Sequence, residues 1–127
     1  MHENDADGRT CQLPAADGDR RTSDFRALLG GRLIGRARVA DGVRWILRAG
    51  QGVEAESHRL ASCESRCSDG IRFHVVREGD HIVWRISGPL SARATLDAYY
   101  ALPALVQTDD GAAALWATLA DQRPREA

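Results

Sequence analysis

The sequence contains no lysine: all 17 basic residues are arginine, set against 18 acids for a formal net charge of -1. A GC-rich coding genome accounts for that bias without any function. Arginine also forms planar, bidentate pairs with carboxylates and phosphates that lysine cannot match, so arginine clusters are the first thing to locate. The balanced charge excludes the basic footprint of a nucleic-acid-binding domain, and nucleic acid is not an expected partner. Cysteine is scarce as well. Three residues, Cys11, Cys63 and Cys67, are too few and odd in number for a disulfide framework, and they suit reduced thiols. No stretch approaches the roughly 18 apolar residues of a membrane span, so no membrane partner is expected. Met1 to Asp24 lacks the apolar segment of a secretory signal, which makes the cytoplasm the expected compartment. Also missing are a glycine-rich phosphate loop, a nucleophile elbow, a metalloprotease helix and an acidic metal triplet, and their absence weakens the case for an enzyme.

What is present fits one domain. The chain has 127 residues, 43% hydrophobic and 28% charged, enough to bury an independent core. Residues 1–22 show no hydrophobic periodicity and read as a flexible arm, followed by a single α+β domain over 23–122 and a tail at 123–127. Ser23 or Asp24 is placed to cap a short helix carrying Phe25, Leu28 and Leu29, which Gly30-Gly31 ends. Two β-prone runs then flank Ala40-Asp41-Gly42. A three-residue loop with Gly42 in the left-handed position would pair Val39 with Val43, Ala37 with Trp45 and Gly35 with Leu47, and would collect Arg36, Arg38, Arg44 and Arg48 on the opposite face.

Val53 to Cys67 has no turn residues. Its Val53, Ser57, Leu60, Glu64 and Cys67 recur at spacings of three and four with Ala61 beside them, the signature of a one-sided helix. A second hairpin follows, Ile71–Val76 and Ile82–Ile86, whose two-residue turn at Gly79-Asp80 pairs Phe73 with Ile86 and Val75 with Trp84. Ser91 is placed to cap a helix with Leu96, Tyr99 and Tyr100 that Pro103 interrupts. A last helix over about Asp110 to Asp121 carries Leu115, Trp116 and Leu119. A shift of 39 residues lays Asp41, Val43, Trp45 and Leu47 over Asp80, Ile82, Trp84 and Ile86. The chain therefore reads as two strand–strand–helix repeats forming a four-stranded antiparallel sheet with helices on one face, plus a C-terminal helix, since one unit alone cannot bury its apolar side.

Four groups of residues carry possible chemistry, each beside a plainer reading. Cys63 and Cys67, one helical turn apart, are placed to share a soft metal ion, with His58, His74 and His81 as possible further ligands, or they are small thiols packed at a helix end. Glu64 projects inward, where burial would make it an acid or base, as Cys67 would be a nucleophile. The plainer reading is a salt bridge to Arg66 or Arg72 at the helix edge. The far side of the sheet collects Ile34, Arg36, Arg38, Arg44, Ile46, Arg48, Arg72, His74, Val76, Val83 and Arg85: a solvated face, an anion site or a homodimer interface, of which the aliphatics repeated on several strands favour the homodimer over the anion site. Tyr99 and Tyr100 line a pocket with a histidine, or cap the core with their hydroxyls in water.

Phe25-Arg-Ala-Leu-Leu29, Gly42-Val-Arg44, Glu64-Ser-Arg-Cys67, Ile71-Arg-Phe73, Gly88-Pro89 and Leu96-Asp-Ala98 together resemble a family of short, largely uncharacterised bacterial proteins whose middle helix ends in Glu-x-x-Cys-Cys before a Phe-containing strand. The second cysteine of that motif is Ser68 here, and the vicinal dithiol is therefore missing. The resemblance implies a small-molecule-binding or soft-metal-binding module and no established activity. The expected function is a ligand- or soft-metal-binding or sensing module of a bacterial cytoplasm. Its expected ligand-binding residues are Arg44, Arg72, His74, Arg85 and Tyr99, and its metal ligands Cys63 and Cys67. The alternatives are a homodimer joined through the arginine and aliphatic sheet face, then a small enzyme using Glu64 or Cys67.

Overall fold

In a computed structural model the described residues are 15–68 and 70–121. Cys11, the first fourteen residues of the expected arm and the expected tail at 123–127 lie outside them. The elements run α1 (Ala15–Leu29), β1 (Leu33–Val39), β2 (Gly42–Arg48), α2 (Val53–Cys67), β3 (Arg72–Glu78), β4 (His81–Ser87), a 3-10 turn at Leu90–Ala92, α3 (Arg93–Leu105) and α4 (Asp109–Asp121). The strands form one antiparallel sheet in the order β1-β2-β4-β3. The duplication is literal in the strands: β3 begins and ends 39 positions after β1, and β4 does the same after β2.

The two central strands meet in a register that sets Val43 opposite Ile86, Trp45 opposite Trp84 and Leu47 opposite Ile82. All six side chains are buried. The pairing is symmetric about the two tryptophans, whose rings lie 4.9 Å apart between centroids. Phe25 of α1 meets both, at 6.1 and 6.0 Å. Alternation along each strand sends these residues to one side, where α2 packs on β3, α3 packs on β2 and β1, and α1 and α4 close over them. Each fully buried Leu, Ile, Val or Phe in such a core contributes about 1.5–3 kcal/mol before entropy is counted.

The middle helix follows its sequence pattern residue for residue. Its buried positions are Val53, Ser57, Leu60, Ala61, Glu64 and Cys67. The second hairpin also has the expected register, Phe73 with Ile86 and Val75 with Trp84.

The first hairpin does not. Its turn is Ala40-Asp41, and the strands pair Val39 with Gly42, Arg38 with Val43 and Arg36 with Trp45, with an irregularity between Leu33 and Gly35. Arg36 and Arg38 are thereby on the tryptophan side, not on the far face. They are accommodated because β1 is an edge strand and α3 brings polar partners to it. Arg36 donates to the Tyr100 carbonyl at 2.7 Å, Arg38 pairs with Asp97, and both guanidinium groups stack on the Tyr100 ring at 4.7 and 4.2 Å. Gly42 is needed at its own position for a different reason than a left-handed turn: a Cβ there would sit 1.9 Å from the Ile86 carbonyl oxygen.

Helix boundaries shift too. The first helix begins at Ala15 and not at Ser23 or Asp24, so residues 15–22, expected in the arm, belong to it. A 3-10 turn precedes α3, which starts at Arg93 without a side-chain cap, and Pro103 lies inside its last turn.

A candidate anion-binding face

Among the described residues the helices pack on the tryptophan side of the sheet, and the side chains of the opposite face fall into cross-strand rows. One row runs Ala37, Arg44, Arg85, His74. Arg44 and Arg85 are therefore direct neighbours on the two central strands, an arrangement that costs stability unless counter-charge is supplied. The next row toward one end of the sheet is Val39, Gly42, Ser87, Arg72, and the next toward the other end is Gly35, Ile46, Val83, Val76.

The first flanking row has no large side chain in its middle: Ser87 is small, and at Gly42 the backbone of β4 occupies the place of a Cβ. An open groove of about 840 Å³ lies at this end of the sheet, lined by Arg44, Arg72, His74, Arg85, Ser87 and Val39 among others. Its one acid is Asp41 of the hairpin turn.

The cations of this groove have little local neutralisation. Among the described residues neither Arg44 nor Arg72 makes an ion pair, and Arg85 has a single loose one, 3.6 Å to Glu78. The Nε of Arg44 is shielded from solvent with no hydrogen-bond partner. A shielded guanidinium nitrogen without an acceptor is costly, and it is the kind of position an anionic ligand oxygen satisfies.

Four of the five expected ligand residues, Arg44, Arg72, His74 and Arg85, thus come together. Tyr99 does not join them. It lies fully buried on the helix side, against Phe73 at 5.2 Å, and its hydroxyl donates to Glu64 Oε1 at 2.7 Å. Burial first, and then the charge of Glu64, pushes the Tyr99 phenol well above its ordinary range.

Glu64 corrects the expectation of an edge salt bridge to Arg66 or Arg72. Its side chain is 1% exposed, and its partner is Arg21 of α1, whose Nη2 reaches Oε1 at 2.6 Å and whose Nε reaches Oε2 at 3.0 Å. Arg21 also lies 4.1 Å from the centre of the Trp116 ring, and the Trp116 indole donates to Thr22 Oγ1 at 2.8 Å. The carboxylate is held by a guanidinium and a phenol, an arrangement that ties α1, α2 and α3 together.

Sequence reasoning missed Arg21, because residues 17–22, just before Ser23, have no apolar residue to mark a helix. The one available signal was its place four residues before Phe25, on the same helical face. The groove was missed as well, since its lining comes from strands of different repeats that become neighbours only in the folded sheet.

Cys67 is buried and Cys63 half-buried at the end of α2. Among the described residues no three of His, Cys, Asp and Glu converge as a metal site would require. His74 and His81 belong to β3 and β4, and His58 pairs with Glu54 at 3.7 Å. No helix is long and apolar enough to cross a membrane among the described residues. Comparison of the chain with models of known protein families, with curated proteins and with solved structures finds no match.

Proposed function

We propose that this protein is a ligand-binding module that takes an anion in the groove of its uncovered sheet face, with Arg44, Arg72 and Arg85 as charge partners and His74 as a further donor. The observation that carries the reading is the direct juxtaposition of Arg44 and Arg85, balanced among the described residues only by one loose ion pair from Arg85 to Glu78 at 3.6 Å. An anion seated between two guanidinium groups relieves their repulsion and accepts bidentate hydrogen bonds. A sensing role and a cytoplasmic setting belong to the same proposal and rest on composition and architecture alone.

Calorimetric titration with phosphate, sulfate, acetate and citrate tests it. Saturable binding that weakens with ionic strength is expected, falling at least tenfold in Arg44→Ala and Arg72→Ala. Absence of binding by all four anions, at millimolar concentration and low salt, would remove the reading.

The homodimer remains a second reading of the same face, favoured by the 49% exposure of Ile34 and 39% of Val39. The cationic row weighs against it, since a self-complementary contact would bring arginines of two copies together. A soft ion at Cys63 and Cys67 needs further donors, and an enzyme needs a reactive group in the groove, where neither Glu64 nor Cys67 stands.

A further inference from the structure

The cationic row has a recess on one side and an aliphatic strip on the other. Ile46 follows Arg44 by two residues, Val83 precedes Arg85 by two, and Val76 follows His74 by two, so all three lie on the same face and pair across the strands. Val83, between its two neighbours, is 3% exposed, while Ile46 and Val76 remain half-buried. From Ser87 at the floor of the recess to Val83 is four residues, roughly 13 Å along the strand. A ligand that is only an anion would use the recess and leave the strip untouched.

We infer that the ligand is an amphipathic anion: a single carboxylate or phosphate head over Arg44 and Arg85, with an apolar body laid along Ile46 and Val76. This rests on the anion reading and adds the class of molecule. Charge complementarity selects this occupant over the others. A second copy would set arginine against arginine, and a flat lipid surface would not fill the groove beside Ser87 and Arg72.

Arg44, two residues from Ile46 on the same strand face, has an Nε shielded from solvent. A head group arriving with its own apolar tail would keep water away from the charged contact and so strengthen it.

The inference is tested by titrating the whole protein with straight-chain carboxylates from acetate through butanoate and hexanoate to decanoate, kept below micelle-forming concentrations. Methyl and octyl phosphate form a parallel pair. Full burial of a methylene gives about a fourfold gain, and one-sided burial on an open strip gives half that free energy, so affinity should rise about twofold per methylene until the chain outreaches the strip. In the double variant Ile46→Thr, Val76→Thr, which keeps β-branched residues on both strands, the gain with length should vanish while acetate and methyl phosphate bind as before. Arg44→Ala should weaken every member of the series by a similar factor.

Binding of short anions with no dependence on chain length would overturn the amphiphile and leave the anion site standing. No binding of any member would overturn both. Vesicles of phosphatidylglycerol in phosphatidylcholine serve as the remaining arm: capture by vesicles tighter than by decanoate or octyl phosphate would assign the face to a membrane surface and overturn the soluble ligand.

Discussion

Arg21 and Glu64, from α1 and α2, form a two-pronged ion pair whose carboxylate is 1% exposed and whose guanidinium is 11% exposed. Removing one partner from such a pair leaves a buried charge without compensation. Arg21→Ala is therefore expected to cost about 3–5 kcal/mol, and Arg21→Met combined with Glu64→Leu much less, because the second variant removes both charges and keeps the volume. Urea unfolding of the three proteins measures this. Equal losses in the single and double variants would show that the pair is not acting as a unit.

Alkaline pH isolates Tyr99. Its phenol is raised in the folded state by burial and by Glu64. Its contribution to stability is thus complete below the ordinary phenol value of about 10 and is lost as pH rises from there through the folded value. The chain has no lysine to titrate in the same window, so the decline in the urea midpoint above about pH 10 should be readable. Tyr99→Phe should flatten it, at a cost near neutral pH of about 1–3 kcal/mol for a Glu64 oxygen left with one donor fewer. A decline of the same slope in the variant would assign it to other groups.

The two central tryptophans look equivalent by symmetry but are not so in their hydrogen bonds. Trp45 Nε1 donates to the Tyr99 carbonyl at 3.2 Å, while Trp84 Nε1 is buried without a partner. Truncation of either to alanine should cost about 3–5 kcal/mol. Replacement by phenylalanine should separate them, with Trp45→Phe the more damaging by about 1 kcal/mol or more, since it strands a buried carbonyl. Thermal or urea unfolding of both Phe variants would decide, and the reverse order would contradict the assigned hydrogen bond.

Oligomeric state tests the rival reading of the sheet face. If the face binds a ligand, the protein should sediment as a monomer at low and high salt, and Ile46→Glu should leave the sedimentation coefficient unchanged. A dimer that Ile46→Glu dissociates would transfer the face to an interface, because a new charge in a buried contact cannot be desolvated cheaply.

The parts of the fold that were legible in the sequence are those decided by local periodicity. The inward set of α2, from Val53 to Cys67, follows from spacings of three and four. The register of the second hairpin follows from two strands whose apolar residues alternate cleanly. The first hairpin offered no such contrast. Arg36 and Arg38 alternate with Gly35, Ala37 and Val39, and hydrophobicity favours turning the arginines outward. What turns them inward is Tyr100 and Asp97, about sixty positions later in the chain, which no local pattern announces. The same holds for the site: Arg44, Arg72, His74 and Arg85 could be gathered from alternation alone, whereas the hollow between them required knowing which strands of the two repeats become neighbours.

The contact between the two repeats also fixes an order of events during folding. Each hairpin closes over a two-residue turn, but only the second has a register that its own sequence decides, so the second is expected to form early and alone. The ladder between β2 and β4 joins positions 39 apart at Trp45 and Trp84, across a stretch that contains α2, and its closure is expected to follow the shortening of that stretch by the helix. Each hairpin alone carries one tryptophan, open to water. Only the merger of the halves brings these two indoles to 4.9 Å, so in a Trp116→Phe background, which silences the third tryptophan, emission during refolding reports the joining of two half-sheets and not the formation of either one.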